Sequence, residues 1–261
     1  MHDIKEICRS VRSSELFAGI PSCEIEEIVS RARTLEFAPG DVIHSADDPI
    51  TQVLLLMDGR IKRSQFSANG QEVVLRLGVP GEMISVPTLL PRGKHSSTAS
   101  ALQPCKVLVW ESVTFNAMLE RFPGLLKNLE RILNSRLVDI TQRFCEASTK
   151  ATSPRLASSL VQLVDRIGER VDNHIELRVS QETLGQMTGM AFNSVSRLLS
   201  IWKGQGIVKL RRGIVEIHNI PHLLSCAELG QTSTQNAGLG NGLVAARATI
   251  VSISKKSHEG L

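Results

Sequence analysis

Residues 189–203 read GMAFNSVSRLLSIWK, and this stretch decides the architecture of the C-terminal part of the chain. Ser180, nine residues upstream of Gly189, has the side chain of a helix N-cap and predicts a short helix that Gly189 ends. After a tight turn, a second helix is predicted to begin near Asn193. Its apolar side consists of Val195, Leu198 and Leu199. Two short helices joined in this way predict a helix-turn-helix.

The polar side of the second helix separates two interpretations of this motif. A helical hairpin that only covers a core would accept almost any polar residue on its outer face. A helix that enters the major groove of DNA needs hydrogen-bond donors near its N-terminus, and Asn193 and Arg197 supply them. Ser194 and Ser196 are small enough to let the helix approach phosphates. These residue types favour DNA recognition.

The sequence after the second helix, GIVKLRRGIVEIH at residues 206–218, alternates as two strands around a basic turn and predicts a wing. Between Arg178 and Gly213 the only acidic residue is Glu182. The basic residues of that segment are Arg178, Arg197, Lys203, Lys209, Arg211 and Arg212. A phosphate backbone favours such a patch, although a solvated surface also produces one. The net charge of the chain, +4, is too small to indicate a nucleic-acid partner by itself.

The N-terminal half of the chain has the pattern of a β-structure. Between Leu35 and Trp110, short apolar runs alternate with turn signals, which predicts a small β-sandwich or barrel. The turn signals are APGD at 38–41, MDGR at 57–60, SANG at 67–70, VPGE at 79–82 and PRGK at 91–94. Their glycines at 40, 59, 70 and 81 are interpreted as turn residues without a ligand role.

A long helix is predicted to follow, beginning near Pro123. Its apolar residues recur at steps of three and four and form one narrow seam, which is longer than a small sandwich can cover. We expect a dimer interface formed by two such helices; the alternative is packing against the protein's own domains. The seam runs from Phe122 through the interface residues Leu126, Leu129, Leu133, Leu137, Ile140 and Phe144.

A small, polar segment at residues 146–154, EASTKATSP, is predicted to be a hinge before a second domain. Within that domain, residues 156–171 have helical spacing and residues 174–179 alternate like a strand. The last part of the chain, residues 225–261, is rich in Gly, Ser, Thr and Asn, with one apolar patch at residues 244–253. It is predicted to be a mostly disordered tail.

The order of these motifs resembles the cyclic-AMP receptor and fumarate-nitrate regulator (Crp/Fnr) family of bacterial transcription factors. The resemblance runs from about residue 16 to residue 224. It rests on LFAGI at 16–20, FAPGDVIHSADD at 37–48, LLLMDGRIKR at 54–63, NGQEVVLRLGVPGEMI at 69–84, LGQMTGMAFNSVSRLL at 184–199 and GIVKLRRGIVEI at 206–217.

The resemblance implies an α+β fold with three parts. Residues 1–121 would form a cyclic-nucleotide-binding-type β jelly roll, residues 122–148 a dimerisation helix, and residues 149–224 a winged helix-turn-helix. A homodimer would read a palindromic site on double-stranded DNA, with its two recognition helices about 34 Å apart in successive major grooves. Effector binding or a redox change would reorient the two DNA-binding domains. RNA polymerase would be a further partner of an activator.

The family pattern can be transferred to the DNA-binding residues only where the sequences agree. VSR at residues 195–197 matches strongly, which makes Ser196 and Arg197 the best candidates for base contact. Asn193 stands where many members have Glu, and Phe192 where the cyclic-AMP receptor has Arg, so no known operator sequence is transferred. The full set of predicted DNA-binding residues is Gln181, Phe192, Asn193, Ser194, Ser196, Arg197, Arg211 and Arg212.

The effector pocket departs further from the family. In its cyclic-nucleotide binders, a Gly-Glu pair holds the ribose and a later Arg-Ser pair holds the phosphate. Here Ser85 and Val86 stand at the first pair, and His95 and Ser96 at the second. Valine has no acceptor for the ribose, and histidine is mostly neutral at pH 7. We therefore expect that cyclic AMP is not bound; whether another effector or cofactor exists is left open.

Metal and redox chemistry have little support in the sequence. The five cysteines show no CxxC and no paired histidine spacing, so no metal site is assigned and no disulfide framework is expected. Redox activity or an iron–sulfur centre at Cys8 and Cys23 is a minor alternative. So is a haem ligand at His95, since some gas-sensing members of the family use histidine.

Other classes of function fit the sequence less well. No GxSxG, HExxH, P-loop or GxGxxG motif is present, so an enzyme is not expected. A regulatory module that acts through a protein partner would fit residues 1–145 but would leave the basic wing without a purpose. The N-terminus lacks a signal-peptide core and the longest apolar run, Val53–Met57, is far too short for a membrane span. We therefore expect a cytoplasmic protein without a membrane partner.

Overall fold

The structure is a computed structural model that describes residues 2–86 and 93–228. The chain forms two compact units, Met1–Val138 and Asp139–Leu261, which we call the N-terminal unit and the C-terminal unit. The boundary falls inside a long helix. The sequence boundaries at 121/122 and 148/149 remain predictions.

Two antiparallel four-stranded sheets form the β-structure of the N-terminal unit and confirm the predicted jelly roll. One sheet has the strand order β1-β8-β3-β6 and the other the order β2-β7-β4-β5. The strands are β1 (Arg33–Phe37), β2 (Val42–His44), β3 (Gln52–Asp58), β4 (Ile61–Phe66), β5 (Glu72–Gly78), β6 (Met83–Ser85), β7 (Thr98–Ala101) and β8 (Cys105–Glu111). The four predicted turn glycines, at 40, 59, 70 and 81, all have positive φ. The turn predicted at 91–94 lies partly outside the described residues.

The apolar run in β3 is explained by burial on both faces of its sheet. Leu54 and Leu56 pack between the two sheets. Val53 and Leu55 point the other way, into a second core formed with the helices. A strand covered on both sides does not alternate between apolar and polar residues. None of the described helices is long and apolar enough to cross a membrane.

Helices supply the second layer of the N-terminal unit. They are α1 (His2–Val11), a 3-10 turn (Glu15–Phe17), α2 (Ser22–Ser30), α3 (Ser112–Arg121) and α4 (Pro123–Thr149). The sequence pattern predicts α4 and its start near Pro123 but gives no prediction of α1 or α2. The buried Asn128 of α4 donates hydrogen bonds to the carbonyl oxygens of Leu16 and Ala18, each at 2.9 Å. These bonds fix the first half of α4 against its own unit.

The apolar seam of α4 is divided in two, which corrects the prediction of one continuous dimer interface. Leu129 is only 5% exposed and belongs to the core of its own unit, against which Leu126 also packs. The later seam residues are exposed, from 44% at Leu133 to 71% at Phe144. Leu137 and Ile140 lie between them and are also exposed. The alternative, packing within the chain, therefore holds for the first half of the seam.

The non-helical stretch after α4 is shorter than the predicted hinge. Helix α4 continues to Thr149 and α5 (Thr152–Ile167) begins at Thr152, so only Lys150 and Ala151 lie between the two helices. Lys150 is buried, and its Nζ contacts Glu146 at 2.9 Å and the Ser158 hydroxyl at 2.7 Å. These contacts tie the junction residue Lys150 to both α4 and α5.

The C-terminal unit is the predicted winged helix. After α5 come β9 (Glu169–Val171), β10 (His174–Leu177), α6 (Gln181–Thr188), α7 (Phe192–Gly204), β11 (Val208–Arg211), β12 (Ile214–Ile217) and α8 (Ile220–Glu228). Its sheet has the order β11-β12-β10-β9. The predicted helix at 156–171 is too long, because 169–171 form β9.

The predicted tail begins too early. Residues 225–228 belong to α8, in which Leu223 and Ala227 are buried. Apolar burial therefore continues to the end of that helix. The rest of the predicted tail, including the apolar patch at 244–253, lies outside the described residues.

Candidate DNA interface and effector pocket

The turn between α6 and α7 is fixed by local chemistry that the sequence predicts correctly. The Ser180 hydroxyl accepts a hydrogen bond from the Thr183 amide at 3.0 Å and caps α6. Gly189 ends α6 with φ of +65°, in the left-handed region that favours glycine. Gly185 permits the close approach of the next turn, because a Cβ there would lie 2.8 Å from the Met190 carbonyl oxygen.

Helix α7 has one buried side and one exposed side. Val195, Leu199 and Trp202 are buried. Asn193 and Arg197 are exposed, and a separation of four residues places them on the same side of the helix. Ser194 and Ser196 are half-buried, so the expectation that all four polar residues are exposed together is wrong for the two serines.

Two further predicted residues flank the exposed side of α7. Phe192, the first residue of α7, is 55% exposed. Gln181, the first residue of α6, is half-buried. A phenylalanine exposed at this place can pack on a thymine methyl group in a groove.

The wing places its two arginines in different surroundings. Arg212 lies exposed in the turn between β11 and β12 and has no ion-pair partner among the described residues. Arg211 is paired with two buried carboxylates: its guanidinium contacts Glu176, and its Nε lies 2.5 Å from Glu216 Oε1. Arg178 is also paired, with Glu169 at 3.2 Å and Glu176 at 3.7 Å.

These ion pairs make the basic patch smaller than the sequence suggested. The acids that pair with Arg178 and Arg211 lie just outside the segment 178–213 and come next to it in the folded sheet. Arg197, Lys203, Lys209 and Arg212 remain as exposed cations without an ion-pair partner among the described residues.

The four candidate pocket residues are mostly engaged elsewhere in the fold. The Ser85 hydroxyl is buried and donates to the Gln52 carbonyl oxygen at 2.9 Å. Val86 packs against the helix-side core. Ser96 is exposed, and its carbonyl oxygen accepts a hydrogen bond from Gln65. Residues 87–92, between the two pairs, lie outside the described residues.

His95 stacks on His44, with ring centroids 3.7 Å apart and planes at 13°. Burial, the neighbouring His95 and Arg63 together lower the pKa of His44 to about 4. Burial and Arg63 also lower the pKa of His95, while Asp48 opposes them. Both imidazoles are therefore neutral at pH 7, and neither supplies the cation that a phosphate would need.

Two half-buried cations of the N-terminal unit, Arg63 and Arg76, lie elsewhere and were not predicted from the sequence. Arg63 donates to the buried Ser97 hydroxyl at 3.0 Å, and burial followed by the charge of Arg76 lowers the pKa of Arg63. Arg76 is paired with Glu82 at 3.0 Å. A cavity of about 210 Å³ lies beside this pair. Its lining includes Ser13, Ser14, Arg76, Glu82, Ser135 and Arg136. The arginines were overlooked because alternation in a strand does not show which polar residues point inward.

The cysteines are free, and Cys8 and Cys23 lie on α1 and α2. Burial and the charge of Glu26 raise the pKa of Cys8, which disfavours its thiolate. Among the described residues, only His174, Glu216 and His218 come close enough to hold a metal ion, and the sequence analysis did not single them out.

Comparison with known sequences decides the family. The sequence model of the cyclic nucleotide-binding domain matches residues 34–122, and that of the Crp-like helix-turn-helix domain matches residues 154–226. The chain belongs to the Crp/Fnr family of transcription regulators. The α6–α7 pair is therefore the DNA-binding helix-turn-helix of a Crp/Fnr regulator.

Curated members of the Crp/Fnr family match most of the chain. The transcriptional regulatory protein btr of Bordetella pertussis is 24% identical over 208 residues, which cover 78% of this chain and 86% of the relative. The cyclic AMP receptor protein of Thermus thermophilus is 25% identical and is covered to 94%, for 79% of this chain. The transcriptional activator protein anr of Pseudomonas aeruginosa is 24% identical, with 79% and 83% covered. These relatives are regulators and not enzymes.

Solved structures show the same fold. FixK2 from Bradyrhizobium japonicum superposes with a TM-score of 0.67 at 18% identity, covering 79% of this chain and 99% of that structure. The c-di-GMP responsive global regulator CLP of Xanthomonas campestris gives a TM-score of 0.68 at 16% identity, with 76% and 100% covered.

Proposed function

We propose that this Crp/Fnr protein is a homodimeric, sequence-specific DNA-binding regulator that reads a palindromic operator with α7. The observation that carries the proposal is the exposed face at the start of α7. Asn193 and Arg197 lie there together, and Phe192 precedes them with half of its surface in solvent. A helix that only covered its own core would gain nothing from these three side chains.

Each of these side chains has a chemical partner in the major groove. Arginine can donate two hydrogen bonds to guanine, and asparagine can pair with adenine in the same bidentate manner. Phe192 can contact a thymine methyl group. Arg212, at the tip of the wing, is placed to contact phosphate, which positions the domain without reading sequence. Arg211 is a weaker candidate for DNA contact because Glu176 and Glu216 already neutralise its charge.

The second half of α4 supports a homodimer. Leu133, Leu137, Ile140 and Phe144 are exposed and span about 17 Å along the helix. Apolar side chains at this spacing on a second copy would cover them, as in a coiled coil. Two copies related by a two-fold axis would present two α7 helices to two half-sites about 34 Å apart.

The effector of this regulator is proposed not to be cyclic AMP. Val86 has no acceptor atom for a ribose, and His95 stacks on His44 where a phosphate would need a cation. RNA polymerase would be a further partner if the operator lies beside a promoter and the protein activates transcription.

The DNA-binding proposal is tested by selecting bound duplexes from a random pool with the purified full chain, with and without cyclic AMP. The expected result is one two-fold symmetric motif that is recovered equally well in both conditions. Enrichment only with cyclic AMP would contradict the interpretation of Val86 and His95. A motif without two-fold symmetry would contradict the palindromic operator, and no enrichment in either condition would contradict sequence-specific binding by the free protein.

The dimer is tested by sedimentation equilibrium of the Phe144→Asp variant beside a matched control. We expect this variant to be monomeric, because a charge in an apolar helix seam is costly. The control is Val113→Asp on α3, since Val113 is 83% exposed and lies outside the seam. A wild-type monomer, or equal dimerisation of both variants, would contradict the assignment of the interface.

A further inference from the structure

Two histidines and two glutamates share one face of the C-terminal sheet. Glu176 on β10 is paired with Glu216 on β12, while Ile175 is paired with Ile217. His174 and His218 lie one position further along the two strands. Because alternate residues of a strand share a face, all four polar side chains point away from the isoleucines. The face thus combines two imidazoles and two carboxylates.

The two glutamates are unusually buried for their type. Glu216 is 3% exposed and Glu176 is 6% exposed. Carboxylates directly opposite each other in neighbouring strands repel. Arg211 offsets the repulsion by contacting both, with its Nε on Oε1 of Glu216. The other oxygen of Glu216, Oε2, faces the imidazoles.

Both imidazoles lie close to Oε2 of Glu216. Oε2 of Glu216 lies 3.1 Å from Nε2 of His218 and 3.9 Å from Nε2 of His174. The two rings stack with centroids 4.9 Å apart and planes at 14°. Nε2 of His174 is buried and makes no hydrogen bond, although Oε1 of Glu176 lies 3.6 Å away. A buried nitrogen without a hydrogen bond costs free energy, which a bound cation would recover.

The spacing of the three donor atoms suits a metal ion. They all lie within 4.8 Å of one another. An ion at about 2.1 Å from each ligand needs donors about 3.4 Å apart in a tetrahedron, so small rotations of the two imidazoles suffice. Two imidazole nitrogens with one carboxylate oxygen favour zinc and its transition-metal neighbours over magnesium or calcium.

We infer that His174, Glu216 and His218 bind one transition-metal dication of the zinc class, with water as the fourth ligand. Arg211 is the positioning residue, because its bond to Oε1 turns Oε2 of Glu216 toward the ion. The ion joins β10 to β12 and stabilises the folded C-terminal unit, since the unfolded chain lacks the assembled site. This inference does not depend on DNA binding or on dimerisation.

The test is titration of the metal-free full chain with Co²⁺, followed by its displacement with Zn²⁺. Visible absorption of Co²⁺ reports a tetrahedral site, and calorimetry of Zn²⁺ gives the stoichiometry and affinity. We expect one ion per chain. His174→Ala and His218→Ala should each weaken binding by at least about tenfold. The matched control is His222→Ala, because His222 is an exposed histidine in the same unit and is not part of the cluster.

Folding of each variant is checked without metal by circular dichroism. If an alanine variant does not fold, His174→Gln and His218→Gln replace it, since glutamine keeps a polar side chain of similar length. No binding by the wild-type chain would overturn the inference. Affinity equal to that of the wild-type chain in both histidine variants would also overturn it, as would a thiolate-to-cobalt charge-transfer band, which would place the ion on cysteine.

Discussion

Each unit of this Crp/Fnr protein contains a stacked pair of histidines, and the surroundings of the two pairs are opposite in charge. In the N-terminal unit, His44 stacks on His95 and Arg63 lies nearby. In the C-terminal unit, His174 stacks on His218 beside the buried Glu216. The first pair is kept neutral by its surroundings, whereas the second pair lies against a buried carboxylate.

The comparison teaches how each unit distributes its charges. In the N-terminal unit Arg63 is half-buried, and the stacked His44 and His95 are uncharged. The C-terminal unit buries carboxylates and leaves Arg197 and Arg212 at the surface. Exposed cations suit a partner with a phosphate backbone, and buried carboxylates suit the neighbouring Arg211 and the proposed metal ion. Histidine and arginine side chains thus have different surroundings and different proposed roles in the two units.

The largest expected effect is a loss of stability of the N-terminal unit in mild acid. The folded unit favours neutral His44, so its stabilisation is complete above pH 6.5 and is lost as the pH falls toward about 4. The shift corresponds to about 3 kcal/mol. Urea unfolding can be followed by Trp110 fluorescence in a Trp202→Phe background, where Trp110 reports on the N-terminal unit alone.

The control for this prediction is His44→Leu in the same background. Because carboxylates also titrate in acid, the relevant quantity is the difference between the two pH profiles. The profile of the leucine variant should be flatter between pH 6.5 and 4. Identical slopes would show that His44 is not a buried neutral group.

A smaller loss of stability is expected when the negative charge of Glu216 is removed from the C-terminal unit. Burial alone would raise the pKa of Glu216, but the hydrogen bond from His218 and the charges of Arg211, Lys209 and His174 together hold this pKa below 4.5. Glu216→Gln should therefore lower the free energy of unfolding of the C-terminal unit by about 2 kcal/mol at neutral pH. Amide hydrogen exchange along β10 and β12 should become roughly 30-fold faster as a result.

The sign of the pH dependence sharpens this second prediction. Charged Glu216 stabilises the fold above pH 4.5, and this stabilisation is lost as the pH falls through its lower folded pKa. The difference between wild type and Glu216→Gln should shrink in that range. Glu182→Gln, which changes an exposed acid of the same unit, should leave the exchange of both strands unchanged.

The smallest effect concerns the wing. Arg212→Ala should weaken binding to every duplex by less than about 1 kcal/mol and reduce the slope of log affinity against log salt by about one. The affinity and salt slope of Arg212→Ala can be compared with those of Lys203→Ala, which removes another exposed cation, from the end of α7. An unchanged salt slope in Arg212→Ala would mean that the tip of the wing does not reach phosphate.

Sequence reasoning succeeded where the signal is local. Ser180 and Gly189 delimit α6 because a cap and a left-handed turn depend on a few neighbouring atoms. The turns of the jelly roll were predictable for the same reason. Helix α4 shows the limit: its spacing identifies an apolar seam, but spacing does not say what covers each part. Leu129 is buried in its own unit and Phe144 is exposed.

The contacts between side chains on neighbouring strands could not be predicted from the sequence. Arg211 and Glu176 are 35 residues apart and meet only because both β10 and β11 pair with β12. The cluster of His174, Glu216 and His218 has the same origin. Its signal is an alternating His and Glu in each strand, HIEL at 174–177 and EIH at 216–218, but only the strand register joins the two.

The central claim, that α7 reads DNA bases, is tested most directly by the specificity ratio of Arg197→Ala. The affinities of wild type and variant are measured at one salt concentration for the selected duplex and for a scrambled duplex of equal length. We predict that the variant loses about 1 to 3 kcal/mol on the selected duplex and much less on the scrambled one, so the ratio falls. An unchanged ratio would contradict base recognition by Arg197.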